Sequence, residues 1–512
     1  MSEQNKVMLV ILDGWGINQD YPGNAISQAQ KPFYDSLLEK YPHTQLDVSG
    51  EAVGLPIGQM GTSEVNHFTI GAGKVVLQDL VRVTKAIEDG SFFQKEKLQK
   101  TLEHVKKHDS ALHVWGLVSD GGVHSHIKHV AATVEAAANA GLTKVYLHAV
   151  TDGRDTSPTS GVRFVEQLEQ DLKRIGVGKV VSVVGRYYAM DRDKNWDRTD
   201  QALELYTASE GEKFESSVEA IQASYDAGVT DEFIKPVAVG ESIKIKENDA
   251  LITVNFRSDR PRQIIEKFLE QKIENLLITT MTRYSDEFET QVVFSPIKID
   301  SYLGKVISQA GLKQLRITET EKFNHLTFFL NCEHGQADQG EDRFMFDSYS
   351  DIATHDERPE MRAADIADKI VEDIRAGEHP VIFTNICNGD IVGHSGNIPA
   401  TIKACEAVDR ALAKIVPVAL ECDFTVLITA DHGNAEVMYD LQTGEISKEH
   451  SNNPVPLFVI GQQFAGKSVL PGLSGRDLSQ ITPVGVLADI APTVLKIMGL
   501  KKPAKMTGSS LV

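Results

Sequence analysis

Cysteine is scarce: the chain has four in 512 residues, Cys332, Cys387, Cys405 and Cys422. None stands in a CxxC pair, so no disulfide framework is expected, and free thiols in a reducing compartment are the simplest reading. Long apolar runs are missing too. No segment approaches the roughly 18 uninterrupted apolar residues of a membrane-spanning helix. The first apolar run, Val7 to Leu12, is cut off by Asp13 after six residues, too short for a signal-peptide core. A cytoplasmic protein is the expectation. Positive charge is in deficit, with 52 Lys and Arg against 72 Asp and Glu, a net charge of −20. Such a surface disfavours nucleic acid and anionic membranes, although a local arginine cluster can reverse the field inside a cleft. Solenoid repeats and low-complexity tracts are absent as well.

What is present is ordinary globular material, 41% hydrophobic and 24% charged, which excludes a disordered chain. At this length two or more cores are expected. Acidic and histidine residues stand where apolar runs end. Val7–Leu12 runs into Asp13; Val381–Ile386 leads to Asp390 and His394; Phe424–Thr429 leads to Asp431 and His432. Short Val/Ile-rich runs read as buried parallel strands, and ligands gather beyond the carboxyl ends of such strands. The three runs therefore point to one site, although Asp13 and Asp390 lie almost 380 residues apart.

The fold class expected is α/β in two domains, each a mainly parallel sheet flanked by helices. Strand-then-helix alternation marks the middle of the chain: strands at 111–118, 144–150, 179–184 and 250–256, helices at 79–88 and 127–140. From about residue 300 the first style resumes, with strands expected at 326–330, 381–386, 424–429 and 455–460. Residues 1–77 and 300–512 thus read as one discontinuous domain, with 78–299 inserted into it.

Three constellations carry chemistry. The first is Asp13, Asp390, His394, Asp431, His432 and His450; Asp390 and His394, at i and i+4, can share one face of a helical turn. Mixed carboxylate and imidazole donors suit Zn or Mn better than Ca, and the set is large enough for two ions. The second is Ser63, in a glycine-dense segment ahead of a helical run, either a helix N-cap or a metal-activated nucleophile for phosphorus. The third is basic: His124, Arg154 with Asp155, Arg186 with Arg192, and Arg257 with Arg260, each group following a strand of the inserted domain. Guanidinium groups converging at sheet carboxyl ends suggest a small polyanion. A histidine metal cluster at His124, His126 and His129 is the weaker reading, lacking a carboxylate or cysteine to complete it.

These segments closely resemble the cofactor-independent phosphoglycerate mutases of the alkaline phosphatase superfamily. The matches include Leu12-Asp13-Gly14-Trp15-Gly16, Ser63-Glu64, Ser119-Asp120-Gly121-Gly122-Val123-His124-Ser125-His126, Asp152-Gly153-Arg154-Asp155-Thr156, Gly185-Arg186-Tyr187-Tyr188-Ala189-Met190-Asp191-Arg192 and Thr429-Ala430-Asp431-His432-Gly433-Asn434. The resemblance implies an alkaline-phosphatase-like outer domain, a phosphoserine intermediate on Ser63 and two divalent ions, usually manganese, with no need for 2,3-bisphosphoglycerate. Asp13, Ser63, Asp431 and His432 would hold one ion, and Asp390, His394 and His450 the other. His124, Arg154, Asp155, Arg186, Arg192, Arg257, Arg260 and Lys322 would contact the substrate, with Lys322 near the metals. It further implies interconversion of 3- and 2-phosphoglycerate; a monomer is expected, and closure of the two domains would keep water out. The chain departs from the family pattern at Thr62, Asn66 and Gly389, and across 331–339.

Overall fold

The computed structural model describes residues 5–467 and 478–512. The chain divides into two compact units, one of Met1–Leu77 with Ile299–Val512 and one of Gln78–Lys298. The opening segment supplies strands β1 (Lys6–Leu12) and β2 (His43–Asp47). The second unit supplies β3 (Leu112–Leu117), β4 (Val145–Thr151), β5 (Lys179–Gly185), β6 (Glu212–Phe214), β7 (Val237–Val239), β8 (Ala250–Thr253), β9 (Leu277–Thr282) and β10 (Gln291–Phe294). The closing segment adds β11 (Gln314–Glu319), β12 (Glu341–Phe346), β13 (Val381–Ile386), β14 (Phe424–Thr429), β15 (Val455–Ile460) and β16 (Gly485–Val486).

Each unit is built on an eight-stranded sheet, ordered β12-β11-β13-β1-β14-β15-β2-β16 in the first and β10-β9-β8-β3-β4-β5-β7-β6 in the second. In the first, β12, β11, β13, β1 and β14 run parallel, and β15 lies antiparallel to both β14 and β2. Strand β1 is apolar on both faces and its Val7 to Leu12 are fully buried, as the centre of a helix-covered sheet requires. In the second sheet only β7 against β5 is antiparallel among the described residues. Leu112 and Val114 of β3 pack into one apolar cluster while Trp115 and Leu117 enter another, so both faces are covered.

A polar chain crosses the second sheet inside that packing. Asp249 Oδ2 lies 3.3 Å from His113 Nε2, His113 Nδ1 lies 2.9 Å from His148 Nε2, and His148 Nδ1 lies 2.7 Å from Ser182 Oγ. A carboxylate only accepts, which makes His113 Nε2–H the donor to Asp249. Burial first, and the neighbouring His113 second, hold His148 well below the usual imidazole range.

One expected strand is not a strand. Residues 326–330 belong to a helical stretch, Thr320–Asn324 followed by a π-helical turn His325–Phe329. A five-residue apolar run reads equally well as strand or buried helix. The strand of this region is β11, just upstream, where buried Gln314, Arg316 and Thr318 disguise it. The Arg316 guanidinium stacks on Phe383 at 4.0 Å and donates to Gln314 Oε1 and Asn331 Oδ1.

Candidate metal centre and anion site

The backbone of three neighbouring strands delivers the acidic residues to one place. Leu12 of β1 lies beside Ile386 of β13, and Ile11 lies beside Thr429 of β14. The Asp13 N–H, one step beyond, donates to Ile386 O at 3.1 Å. The chain turns at Gly14 with φ +72°, where a Cβ would stand 2.6 Å from Asp390 Cα, so only glycine allows this approach. The Asp390 N–H donates to Asp13 O at 3.0 Å, setting the short helix Asn388–Gly393 on that turn. His394, one turn on, places Nε2 3.1 Å from Asp390 Oδ1. His450 Nε2 is 3.3 Å from both Asp390 Oδ1 and His394 Nε2, and its ring stacks on His432 with centroids 3.6 Å apart.

Thr62, not Ser63, caps helix Ser63–Ala72, accepting from the Val65 N–H. That leaves the Ser63 hydroxyl to the centre, with Oγ 2.8 Å from His432 Nε2 and 2.7 Å from Lys322 Nζ. Lys322 Nζ also lies 2.8 Å from Asp13 Oδ1 and 2.8 Å from Asp390 Oδ2. Burial would strip the charge from this ammonium, but Asp13, Asp390 and Asp431 hold it well above its usual range. Burial and repulsion from Asp431 raise Asp13. Asp390 falls well below the usual carboxylate range because Lys322, His394 and His450 outweigh its burial. His450 rises to about 9, its burial overcome by Asp390.

The donors suit divalent cations. Asp431 Oδ2 and His432 Nδ1 are buried without a hydrogen bond. Asp390, His432 and His450 offer ligand atoms within 4.8 Å of one another, as do Asp13, His67 and Asp431. His432 stands between the two groups, since its Nε2 is also 3.3 Å from Asp431 Oδ2 and 3.7 Å from Asp13 Oδ1. A third such group, Asp373, Glu378 and His379, is tied up differently: His379 Nδ1 lies 2.6 Å from Asp373 and Nε2 2.9 Å from Asp342.

Sequence reasoning missed several residues here. His67, four positions after Ser63 on the same helix face, approaches Asp431 Oδ2 at 3.5 Å and is pushed down to about 3, chiefly by burial. Asn385 donates to Asp13 Oδ2 at 2.7 Å, and Asn434 donates to Asp390 Oδ1 at 3.1 Å. Buried Glu436 accepts from Gly16 N, Asn434 N, Ser451 Oγ and Asn453 Nδ2. Asn66 donates to Asp431 O and Val48 O. The i,i+4 spacing could have found His67; the amides carry no signal without neighbours.

The basic residues converge in the second unit. Buried Arg186 donates through Nη1 to Asp152 Oδ1 and Asp155 Oδ2, both at 2.6 Å. Asp259 receives Arg192 Nη1 at 2.8 Å and Arg257 Nε at 3.0 Å. His124 lies 3.9 Å from Asp155 and 3.8 Å from Asp259, and burial with Arg186 lowers it to about 4. Half-exposed Arg154 reaches Glu232 at 3.7 Å. Arg260 donates to Met190 O at 3.2 Å and is lowered by burial and by Arg186, Arg192 and Arg154, the mark of crowded cations. His126 and His129 take no part in a metal group among the described residues; His129 Nε2 meets Thr84 Oγ1 at 2.9 Å.

Residues 83–286 match the family described as BPG-independent PGAM N-terminus. A 2,3-bisphosphoglycerate-independent phosphoglycerate mutase of Clostridium perfringens strain SM101 is 44% identical over 518 residues, with 99% of each chain covered. The enzyme of that name from Acetivibrio thermocellus is 44% identical over 520 residues, again with 99% of each covered. The solved phosphoglycerate mutase of Leishmania mexicana, crystallised at low cobalt concentration, superimposes with a TM-score of 0.58 at 29% identity, covering 99% of this chain and 98% of that one. With such identity sustained from end to end, the chain belongs to the family of 2,3-bisphosphoglycerate-independent phosphoglycerate mutases.

Proposed function

We propose that the protein interconverts 3-phosphoglycerate and 2-phosphoglycerate by way of a phosphoserine at Ser63. The observation that carries this is the position of Ser63 Oγ, 2.7 Å from the Lys322 ammonium and 2.8 Å from His432, in a buried cluster of carboxylates. Two divalent ions, held by Asp13, Ser63, Asp431 and His432 and by Asp390, His394 and His450, would supply Lewis-acid charge that eases deprotonation of Ser63 and neutralises the transferring phosphoryl group. Manganese is the ion we favour. Carboxylate and imidazole donors suit it, and the cobalt present with the Leishmania enzyme is another first-row transition metal.

The Ser63 oxygen bonds to phosphorus while the bond from phosphorus to the substrate oxygen breaks, and that oxygen leaves as a glycerate hydroxyl, so the proton given up by Ser63 is balanced by the one the leaving oxygen takes up. Lys322 steadies charge on the phosphoryl oxygens. Arg154, Arg186, Arg192, Arg257 and Arg260, with His124 and Asp155, hold glycerate while its other hydroxyl is brought to the phosphoserine. That hydroxyl then attacks phosphorus as it gives up its proton, the bond from phosphorus to Ser63 breaks, and the Ser63 oxygen takes up a proton to restore the hydroxyl.

The test is an assay of 3-phosphoglycerate conversion in the absence of 2,3-bisphosphoglycerate, with inorganic phosphate measured alongside. Conversion with negligible phosphate release is expected, and Ser63→Ala should lose it by at least about three orders of magnitude. Substantial phosphate release would mark a phosphohydrolase instead. Full activity in Ser63→Ala would overturn the phosphoserine route.

A further inference from the structure

Arg192 and Arg260 come from different segments, yet both side chains depend on a carboxylate that is not itself aimed at a ligand. Asp191 is buried, and its two oxygens receive five donors. Oδ1 accepts from Asp193 N at 3.0 Å, Asn195 N at 2.9 Å and Gln263 Nε2 at 3.0 Å. Oδ2 accepts from Asn195 Nδ2 at 2.8 Å and Arg198 Nη1 at 3.3 Å. The first two bonds fold the tight loop 191–195 that carries Arg192, in which Lys194 adopts φ +62°. The bond to Gln263 reaches into helix Arg262–Glu270, three residues beyond Arg260. Gln263 answers with its other end, since Oε1 accepts from Lys194 N at 2.8 Å. Around this double stitch, Arg260 donates to Met190 O and Arg192 donates to Asp259 Oδ2.

We infer that Asp191, together with Gln263, is a positioning pair that fixes the separation of the Arg192 and Arg260 guanidinium groups, and so sets the affinity for the anionic substrate. The inference rests on the reading of the arginine cluster as the phosphoglycerate site. Long arginine side chains lose much rotamer freedom when they bind, and a rigid loop and a rigid helix start reduce what must be ordered at that moment. A displacement of either segment by about an ångström loosens a bidentate contact and weakens binding by an order of magnitude or more.

Two variants separate this role from simple folding support. Asp191→Asn keeps Oδ1 but turns Oδ2 into an amide that faces two other donors, Asn195 Nδ2 and Arg198 Nη1. Gln263→Leu leaves the loop's own turn intact and removes the stitch, together with the bond from Gln263 Nε2 to Thr199 Oγ1 at 3.3 Å. For both, KM for 3-phosphoglycerate should rise on the order of tenfold with kcat within about threefold of the parent, while bound metal stays at the parental level and the thermal transition remains cooperative, lowered by a few degrees for the lost bonds. Arg192→Ala is the control. If Arg192→Ala leaves KM unchanged, the arginine-cluster reading itself fails. If Arg192→Ala raises KM but Gln263→Leu does not, the positioning role is overturned and the substrate site stands. A misfolded Asp191→Asn protein leaves Gln263→Leu to decide.

Discussion

His129 is a buried imidazole whose Nε2 meets the Thr84 hydroxyl, and burial, helped by His126 and Lys128, holds it down to about 3. In the unfolded chain it titrates near 6.5. Its folded pKa is depressed, so the stability associated with its neutral form is complete above that unfolded value and declines as pH falls toward the folded one. At pH 5 the loss amounts to about 2 kcal/mol. His148 adds to the same acid sensitivity, while His379, raised by its bonds to Asp373 and Asp342, works the other way and loses its contribution as pH climbs. Urea midpoints measured from pH 8 to pH 5 should therefore fall, and His129→Gln, which keeps a partner for Thr84, should flatten the slope; an identical slope in that variant would refute the assignment. At this scale the site was legible where chemistry is loud. Asp, His and Arg at strand ends announce themselves, whereas Asn385, Asn434 and Gln263 are ordinary polar residues until folding gives them neighbours.

The turn after β1 is the element on which the metal centre hangs. Gly14 passes so close to Asp390 that an added methyl group would force the helix Asn388–Gly393 outward. Gly14→Ala should lower affinity for divalent metal by roughly ten- to a hundredfold while far-UV circular dichroism stays unchanged. Unaltered metal content and kcat in that variant would count against the turn's role. Elements with two apolar faces, such as β1, β13 and β14, could be read directly, because interior parallel strands carry no polar alternation. Strand β11 could not, since Gln314, Arg316 and Thr318 are buried with their own hydrogen-bond partners. The apolar run 326–330 misled for the complementary reason: its length fits either element, and tertiary packing chose the helix.

At the scale of the molecule, the second unit is one uninterrupted stretch, Gln78–Lys298, with its own sheet and an apolar cluster on each face. Expressed alone, residues 78–298 should fold cooperatively and give a single sharp thermal transition; an aggregated or molten product would show that its packing depends on the first unit. The first unit has the opposite character. Among the described residues, strand β1 pairs only with β13 and β14, whose first residues, Val381 and Phe424, follow Leu12 by some 370 and 410 positions. At about 5–20 residues per second, a ribosome needs roughly 20–75 s to deliver the nearer partner. Through that interval Val7 to Leu12, among the most apolar segments of the chain, wait without a sheet while Gln78–Lys298 is completed behind them. Newly made protein thus carries an unpaired apolar strand for most of its synthesis, a stretch of time in which the fold itself offers that strand no shelter.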